Sequence, residues 1–359
     1  MNIESEAHLA ELLTERHVPV WLRGGATRGT LGVGEVLDLT GLSGVRLYEP
    51  ETLTLVAGAG TPLDDLQGLL AGQGQHLAFE PPDWRGLLGT KGQPSLGGVV
   101  AANLSGPRRV QAGAARDFCL GVQFVDGTGM SVKNGGRVMK NVTGYDLVKM
   151  MAGSWGTLGV LTEVALKILP APAAVVTLTL APLTLAEAVV RMARALGSPY
   201  DPSGAAFLPD GRLFVRLEGL AQSVAYRAER LADLLGADVW TGADPWPAIR
   251  DVAPFHGRAG DVWRFSVTPS QAPEIAARLK GEVMLDWGGG LIWALLSEGT
   301  DARAQAAPYR GHALLVRASD ETCARLPRFE PQAPAVAALT AGLRARFDPK
   351  NILNPGLMG

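Results

Sequence analysis

The residues best placed to do chemistry in this chain are glycines and threonines rather than acids or histidines. In WLRGGATRGTLG, a strand-like Val18–Leu22 runs directly into Arg23, Gly24, Gly25, Ala26, Thr27, Arg28, Gly29 and Thr30. Glycines at 24, 25, 29 and 32 can turn successive amide N–H groups inward, giving a concave anion site flanked by the Thr27 and Thr30 hydroxyls and suited to a diphosphate. Hydrogen bonds to a charged acceptor contribute roughly 1.5–3 kcal/mol each, so a handful hold such a ligand without a covalent link. The same residues also suit an ordinary glycine-rich turn, and the loop alone does not decide. A second segment, PSLGGVVAANLSG, carries Pro94, Ser95, Gly97, Gly98, Ala101, Asn103 and Gly106. Its small side chains let a flat ring or a phosphate lie against the backbone, or else start a tightly packed helix. A third, KNVTGYDLVKMMAGSWGTLGVLTEVALKILP, holds Lys140, a capping pattern at Thr143–Asp146, and Gly159 and Val160 leading into a strand.

Other chemistries are poorly supported. No GxGxxG follows a strand, which disfavours a Rossmann dinucleotide site. The run Ala152-Gly153-Ser154-Trp155-Gly156 approaches a nucleophile elbow but leads with alanine, and the histidines at 8, 17, 76, 256 and 312 offer no obvious base and no metal-binding pair. Cys119 and Cys323 stand 204 positions apart, which excludes a disulfide framework and a self-contained iron–sulfur cluster, so redox chemistry here needs a borrowed cofactor. Lys+Arg of 33 against Asp+Glu of 35 leaves a net charge of -2 and no footprint for nucleic acid or anionic lipid. The most apolar stretch, Val175–Val190, is interrupted by Pro182 and Glu187, so no membrane span is expected. The acidic start MNIESEAHLAELL lacks a secretory pattern, and a cytoplasmic protein is expected, reaching a membrane only through a complex.

These segments need elements to position them. Sixteen of the 45 glycines lie between Gly86 and Gly159, within a region that still contains apolar strand patterns, as expected of loops wrapped around something bulky. The first 170 residues read as an α+β arrangement: helices at 4–15 and 63–70, a helix opened at 143–146, and strands at 18–22, 35–39, 52–57, 118–126, 130–133 and 158–169. The next 160 residues read strand 175–181, helix 185–196, strands 205–208 and 213–218, helix 223–235 and strand 238–241. After a Trp- and Pro-containing link at 244–260, the same βαββαβ order returns between 262 and 317, which predicts two ferredoxin-like halves. Trp240–Pro247 reads as a buried corner or a partner face, and a last helix is expected at 334–346.

RGGAT at 23–27, YEPETLTLVAGAGTPLDDL at 48–66, the GGVVAAN run, GYDLVKMMAGSWGTLGVLTEV at 144–164 and DPKNILNPG at 348–356 occur in an order that resembles the FAD-binding domains of the vanillyl-alcohol oxidase and para-cresol methylhydroxylase type. More closely, the chain resembles the E-subunit family of bacterial glycolate oxidase, over nearly its whole length. The resemblance implies a two-part FAD domain from residues 1–170 and 331–359, with an inserted antiparallel-sheet cap at 171–330. Residue by residue, it implies that Arg23–Thr30 line the FAD diphosphate and that Pro94–Gly106 continue around diphosphate and flavin. Gly159 and Val160 meet the adenosine or ribityl side, and Asn354 returns near the isoalloxazine. Covalently flavinylated members have a histidine in the first loop; Ala26, Thr27 and Arg28 stand there in this chain, so the FAD is expected to dissociate. Catalytic relatives acting on D-2-hydroxy acids bring metal-binding histidines from the cap, where this chain has only His256 and His312. The implied function is that of an FAD subunit oxidising a small 2-hydroxy acid such as glycolate, partnered by a homologous FAD-containing subunit and an iron–sulfur subunit. A non-catalytic electron-transfer or assembly role and a self-sufficient flavin oxidoreductase are the alternatives.

Overall fold

The computed structural model describes residues 1–29, 34–137 and 144–358; Thr30, Lys140 and Thr143 lie outside them. Helix α1 (Glu6–Glu15) is capped by Ser5, whose side chain accepts from His8 N, and it buries Leu9 and Leu13. Strands β1 (Val20–Arg23) and β2 (Glu35–Asp38) pair in parallel, Val20 opposite Glu35. The C-terminal tail lies along the other side of β1: Val20 N donates to Ile352 O (2.8 Å) and Asn354 N to Val20 O (3.1 Å). The DPKN sequence makes that return possible. The Asp348 carboxylate accepts from Ile352 N and Leu353 N, and Lys350 Nζ donates to the Leu13 and Thr14 carbonyls at the end of α1.

A five-stranded antiparallel sheet comes next, built from β3 (Val45–Glu49), β4 (Thr54–Gly58), β5 (Cys119–Val125), β6 (Ser131–Gly135) and β7 (Val160–Lys167) in the order β3-β4-β7-β5-β6. Strand β3 escapes the sequence pattern because it is an edge strand with no buried residue, so VRLYE shows no alternation. Helices α2 (Leu63–Ala71) and α3 (Leu96–Ala101) lie between these strands in sequence. Helix α4 (Leu147–Met151) starts later than the capping pattern at 143–146 predicts, because Asp146 is its N-cap and accepts from Lys149 N.

The second region is a single eight-stranded antiparallel sheet. Its strands are β8 (Ala174–Leu180), β9 (Gly204–Phe207), β10 (Leu213–Gly219), β11 (Asp238–Val239), β12 (Asp261–Val267), β13 (Gly281–Asp286), β14 (Leu291–Leu296) and β15 (Gly311–Arg317), in the order β11-β8-β10-β9-β13-β14-β12-β15. Each group of four has the ferredoxin-like order, and the two groups join edge to edge where Phe207 meets Leu285. Helices α5 (Leu185–Leu196), α6 (Ala221–Leu235), α7 (Ala272–Arg278) and α8 (Ala302–Ala306) contribute buried side chains such as Met192, Leu231 and Ile275 to the core on one face of this sheet. Thr184 opens α5 with a capping box to Glu187. Strand alternation sends the other residues to the opposite face, where Phe214, Met284, Trp293, Leu314 and Val316 share one core with Leu55, Phe79 and Val99 of the first region.

The two regions are also clasped by charge. Arg216 on β10, 3 % exposed, donates through both terminal nitrogens to the two Glu80 oxygens at 2.7 and 2.9 Å, and its guanidinium lies 4.5 Å over the Trp246 ring. Trp246 is itself buried, with Nε1 donating to Thr177 Oγ1, so the corner is anchored in the interior at Trp246 while residues 241–244 and Pro247 are exposed. Helix α9 (Pro334–Phe347) contributes no buried residue and exposes Val336, Leu339 and Leu343. Among the described residues, no helix is long and apolar enough to cross a membrane.

Candidate functional site

The loop after β1 folds against residues 92–98, and the glycines divide into two sets by what they face. A Cβ added at Gly25 would overlap the Gln93 carbonyl oxygen, and one at Gly92 the Gly25 carbonyl oxygen, so these two positions serve loop-to-loop packing. Gly97 plays a similar part: its N donates to Ala59 O (2.7 Å), and an added Cβ would lie 2.7 Å from Ala59 Cβ. Gly29 and Gly98 face open space instead. Among the described residues, an added Cβ at Gly29 (φ +70°) meets nothing within 4 Å, and one at Gly98 meets only Ser95 Oγ at 3.1 Å and Arg28 Nη1 at 3.7 Å.

Between these loops opens a cleft. Arg23 through Gly29, Ser95, Gly97, Gly98, Ala101, Gly159, Val160 and Asn354 line it. Pro94, Asn103 and Gly106 do not, although they lie close by in sequence. The Pro94 carbonyl accepts from Leu63 N, the Asn103 side-chain oxygen from Arg116 N, and the Gly106 carbonyl from Trp287 Nε1 of the cap sheet. Asn354 is 3 % exposed and its amide is occupied within the protein: Oδ1 accepts from Leu22 N and Nδ2 donates to Trp155 O, both at 2.9 Å. It therefore ties the tail to two walls of the cleft.

Sequence reasoning misses Ala59, Leu357 and above all Trp155, which lines the cleft wall. Trp155 has φ +53° between positive-φ glycines 153 and 156, and its N donates to Ala101 O (2.8 Å). A large ring set among obligatory glycines was the available signal.

Electrostatically the cleft is cationic. Arg28 Nη1 donates to Gly98 O (2.7 Å) and its guanidinium lies 5.4 Å from the Trp155 ring centroid, yet among the described residues no carboxylate pairs with it. Burial lowers its pKa to about 10. A half-buried, unneutralised arginine beside open glycine backbone is the donor set an anionic diphosphate requires, so the residues present fit a dinucleotide.

A small, mostly apolar chamber with room for about one water adjoins the cleft, with Arg28 and Trp155 in the shared wall and Trp84, Leu88, Leu314, Leu315, Val316 and Arg328 completing it. His256 is engaged with the Asp251 carbonyl through Nε2 (2.8 Å), and its ring packs on Gly86. Among the described residues, no group of three His, Cys, Asp or Glu side chains could hold a metal ion.

Residues 2–135 match the family of FAD binding domains. Over 345 residues, 95 % of this chain and 92 % of the relative, the sequence is 36 % identical to the glycolate oxidase subunit GlcE of Escherichia coli. The chain belongs to the GlcE family. This GlcE-family chain is an FAD-dependent oxidoreductase by family, and FAD is its cofactor. A D-lactate dehydrogenase of Anaerostipes hadrus is 35 % identical over 49 % of this chain and 37 % of its own length. In three dimensions the chain superposes on p-cresol methylhydroxylase with a TM-score of 0.72 at 13 % identity, covering 99 % of this chain and 88 % of the other, which shows the shared fold.

Proposed function

We propose that this chain is an FAD-binding subunit of a complex that oxidises a 2-hydroxy acid, glycolate to glyoxylate, and passes the electrons to an iron–sulfur partner beside a homologous flavin subunit. The observation that carries the reading is the extent of the likeness to GlcE, which takes in the cap sheet as well as the cleft, whereas the D-lactate dehydrogenase likeness spans half the chain. In this reading residues 1–170 and 331–359 form the flavin domain and 171–330 the cap. The amides of residues 24–29 and the Arg28 guanidinium hold the diphosphate, Gly98 and Ala101 let the ring approach α3, and Gly159 and Val160 border the adenosine end. When bound, FAD accepts two electrons from an alcohol carbon as a hydride and releases them singly, which matches a one-electron partner. The chain supplies the cationic wall, the orienting loops and the cap that excludes water.

Of the two cap histidines, His256 is occupied by the Asp251 carbonyl and His312, on β15, lines neither the cleft nor the chamber beside it. That favours a second reading in which this subunit's flavin relays electrons and the partner flavin meets substrate. The purified, FAD-loaded chain decides between them: bleaching of the flavin band by glycolate or D-lactate supports direct oxidation, silence toward both supports relay, and bleaching by NADPH alone overturns both. The site assignment has its own test. Gly98→Val directs a branched side chain toward Ser95 Oγ and Arg28 and should abolish FAD retention in a chain that still folds; normal flavin stoichiometry in that variant would contradict the assignment.

A further inference from the structure

We propose that Arg264 on β12 is the receiving group of a site for a small carboxylate at the seam between the cap sheet and residues 105–109, with Arg109 and His312 as its neighbours. The assignment rests on the reading of the chain as a subunit of a complex that oxidises a 2-hydroxy acid, and deepens it by naming what holds that acid's carboxylate.

Arg264 is half-buried, yet among the described residues it makes no hydrogen bond and no ion pair. Its nitrogens are not sealed in and remain open to solvent. The guanidinium lies 5.1 Å from the Trp287 ring centroid and 6.0 Å from that of Trp293. Stacking of this kind uses the flat face of the group and leaves its in-plane N–H donors free. A cation withdrawn from water is normally paired, so one with no partner marks the place of an absent anion. Arg28 gives the comparison: burial lowers both arginines to about 10. In the flavin reading a diphosphate answers Arg28, and among the described residues nothing answers Arg264.

The surroundings add charge of the same sign. Arg109, from the first region, lies 4.7 Å over the same Trp287 ring, and its one hydrogen bond is a long one to Ser105 Oγ at 3.5 Å. After burial, repulsion from Arg109 is the next cause lowering Arg264. Trp287 is a fixed platform, because its N donates to the Asp286 carboxyl (2.7 Å) and its Nε1 to Gly106 O (3.0 Å). On β15, His312 stands two residues from Leu314, the cross-strand neighbour of Arg264, so both side chains leave the same face of the sheet. His312 is exposed, and the seam meets solvent there. Partial burial of its ring and then the two arginines lower its pKa, which leaves the imidazole neutral at pH 7 and able to bond a hydroxyl. The acids closest by do not cancel the cluster. Burial raises Asp286 to about 8, so it is mostly protonated at pH 7, and Glu330 Oε2 already accepts from Tyr309 OH (2.7 Å) and Ala313 N (3.0 Å). A carboxylate supplies what is missing, a planar pair of acceptors and a negative charge, while the tryptophan faces suit a short carbon chain.

The probe is 2-hydroxy-2-methylpropanoate, a hydroxy acid with no hydrogen on its carbinol carbon, so occupancy is read apart from oxidation. Calorimetric titration of the FAD-loaded full chain should show saturable one-to-one binding, and the matching neutral amide should not bind. Arg264→Gln should weaken the acid at least about tenfold and Arg109→Gln about threefold, both at unchanged flavin stoichiometry. Arg264→Met keeps the ring contacts and removes the charge, and should lose binding with no fall in melting temperature, because an unpaired charge gives the ligand-free fold little to lose. An arginine with a purely structural role would take stability with it, so a lowered melting temperature at normal affinity overturns the site. So does absence of acid binding to the unaltered chain, equal binding of the amide, or normal affinity in Arg264→Gln. The reaction is scored apart: saturable binding in a chain that glycolate does not bleach keeps the site and removes direct oxidation. Bleaching by glycolate with a KM unmoved in Arg264→Gln keeps the reaction and removes the site.

Discussion

The two halves of the cap sheet share a strand order and face the same cleft-bearing region, yet they do different work. In the half made of β8 to β11, the inward residues Arg216 and Glu218 meet opposite charges: Arg216 forks onto Glu80, and Glu218 lies 3.5 Å from Arg108 Nε. In the half made of β12 to β15, the inward Arg264 lies over the Trp287 and Trp293 rings, and Leu314 and Val316 enter the apolar core shared with the first region. Repetition of a βαββαβ unit dictates which side chains point inward, because alternation along a strand is set by the backbone. It does not dictate what they meet. One half holds the cap down through charge, the other through rings and apolar packing.

Removing one member of the matched pair should have the largest effect. Arg216→Ala strands the Glu80 carboxylate at a mostly buried site and is expected to cost about 3–5 kcal/mol in urea unfolding. Glu80→Ala should cost much the same, and the double variant markedly less than the sum, because both break one interaction. Additive losses would mean that the clasp is not a unit and the contrast between the halves is false.

On the unmatched side the effect should be smaller and of another kind. Leu314→Ala enlarges a cavity that already exists, so a loss of about 2 kcal/mol is expected, at the low end for a leucine truncation, with FAD retained. Loss of flavin in this variant would move Leu314 from the chamber wall into the cofactor site.

The smallest effect sharpens the boundary between the halves. Asp286, at the end of β13, accepts from Trp287 N, and burial raises its pKa to about 8. A carboxyl whose folded value exceeds its unfolded value of 3.8 contributes fully only below pH 4, and that contribution fades as the pH rises through 8. Asp286→Asn keeps the acceptor and removes the titration, so the melting temperature of the variant relative to the parent should rise between pH 5 and pH 9. A flat difference across that range would show that Asp286 is already ionised in the folded chain, with its charge held by Arg216 and Arg264.

Much of this architecture was legible in the linear pattern. The eight cap strands and their helices fall within a few residues of where periodicity places them, since each buries one face and the alternation is local. The cleft was legible as a set of glycines but not as a geometry. Gly25 and Gly92 are needed because one loop's backbone presses on another's, whereas Gly29 and Gly98 leave backbone open to a ligand, and composition cannot tell these apart. Strand β3 left no signal because an edge strand with no buried residue has no pattern to display, and Trp155 left little because its role depends on Ala101 and Arg28, which are distant in sequence.

Residue order alone settles the succession and type of the elements, the small-residue segments free to approach a dinucleotide, and the lack of a histidine in the first loop. Each comes from a residue's own backbone freedom or from neighbours a few positions away. Three outcomes came with the folded packing instead: the two halves of the cap fuse into one sheet through Phe207 and Leu285, Asn354 is a tie between walls, and Trp84 keeps an unanswered N–H beside an arginine with no carboxylate partner among the described residues. They depend on which distant segments share one densely packed interior, and no local pattern records that choice.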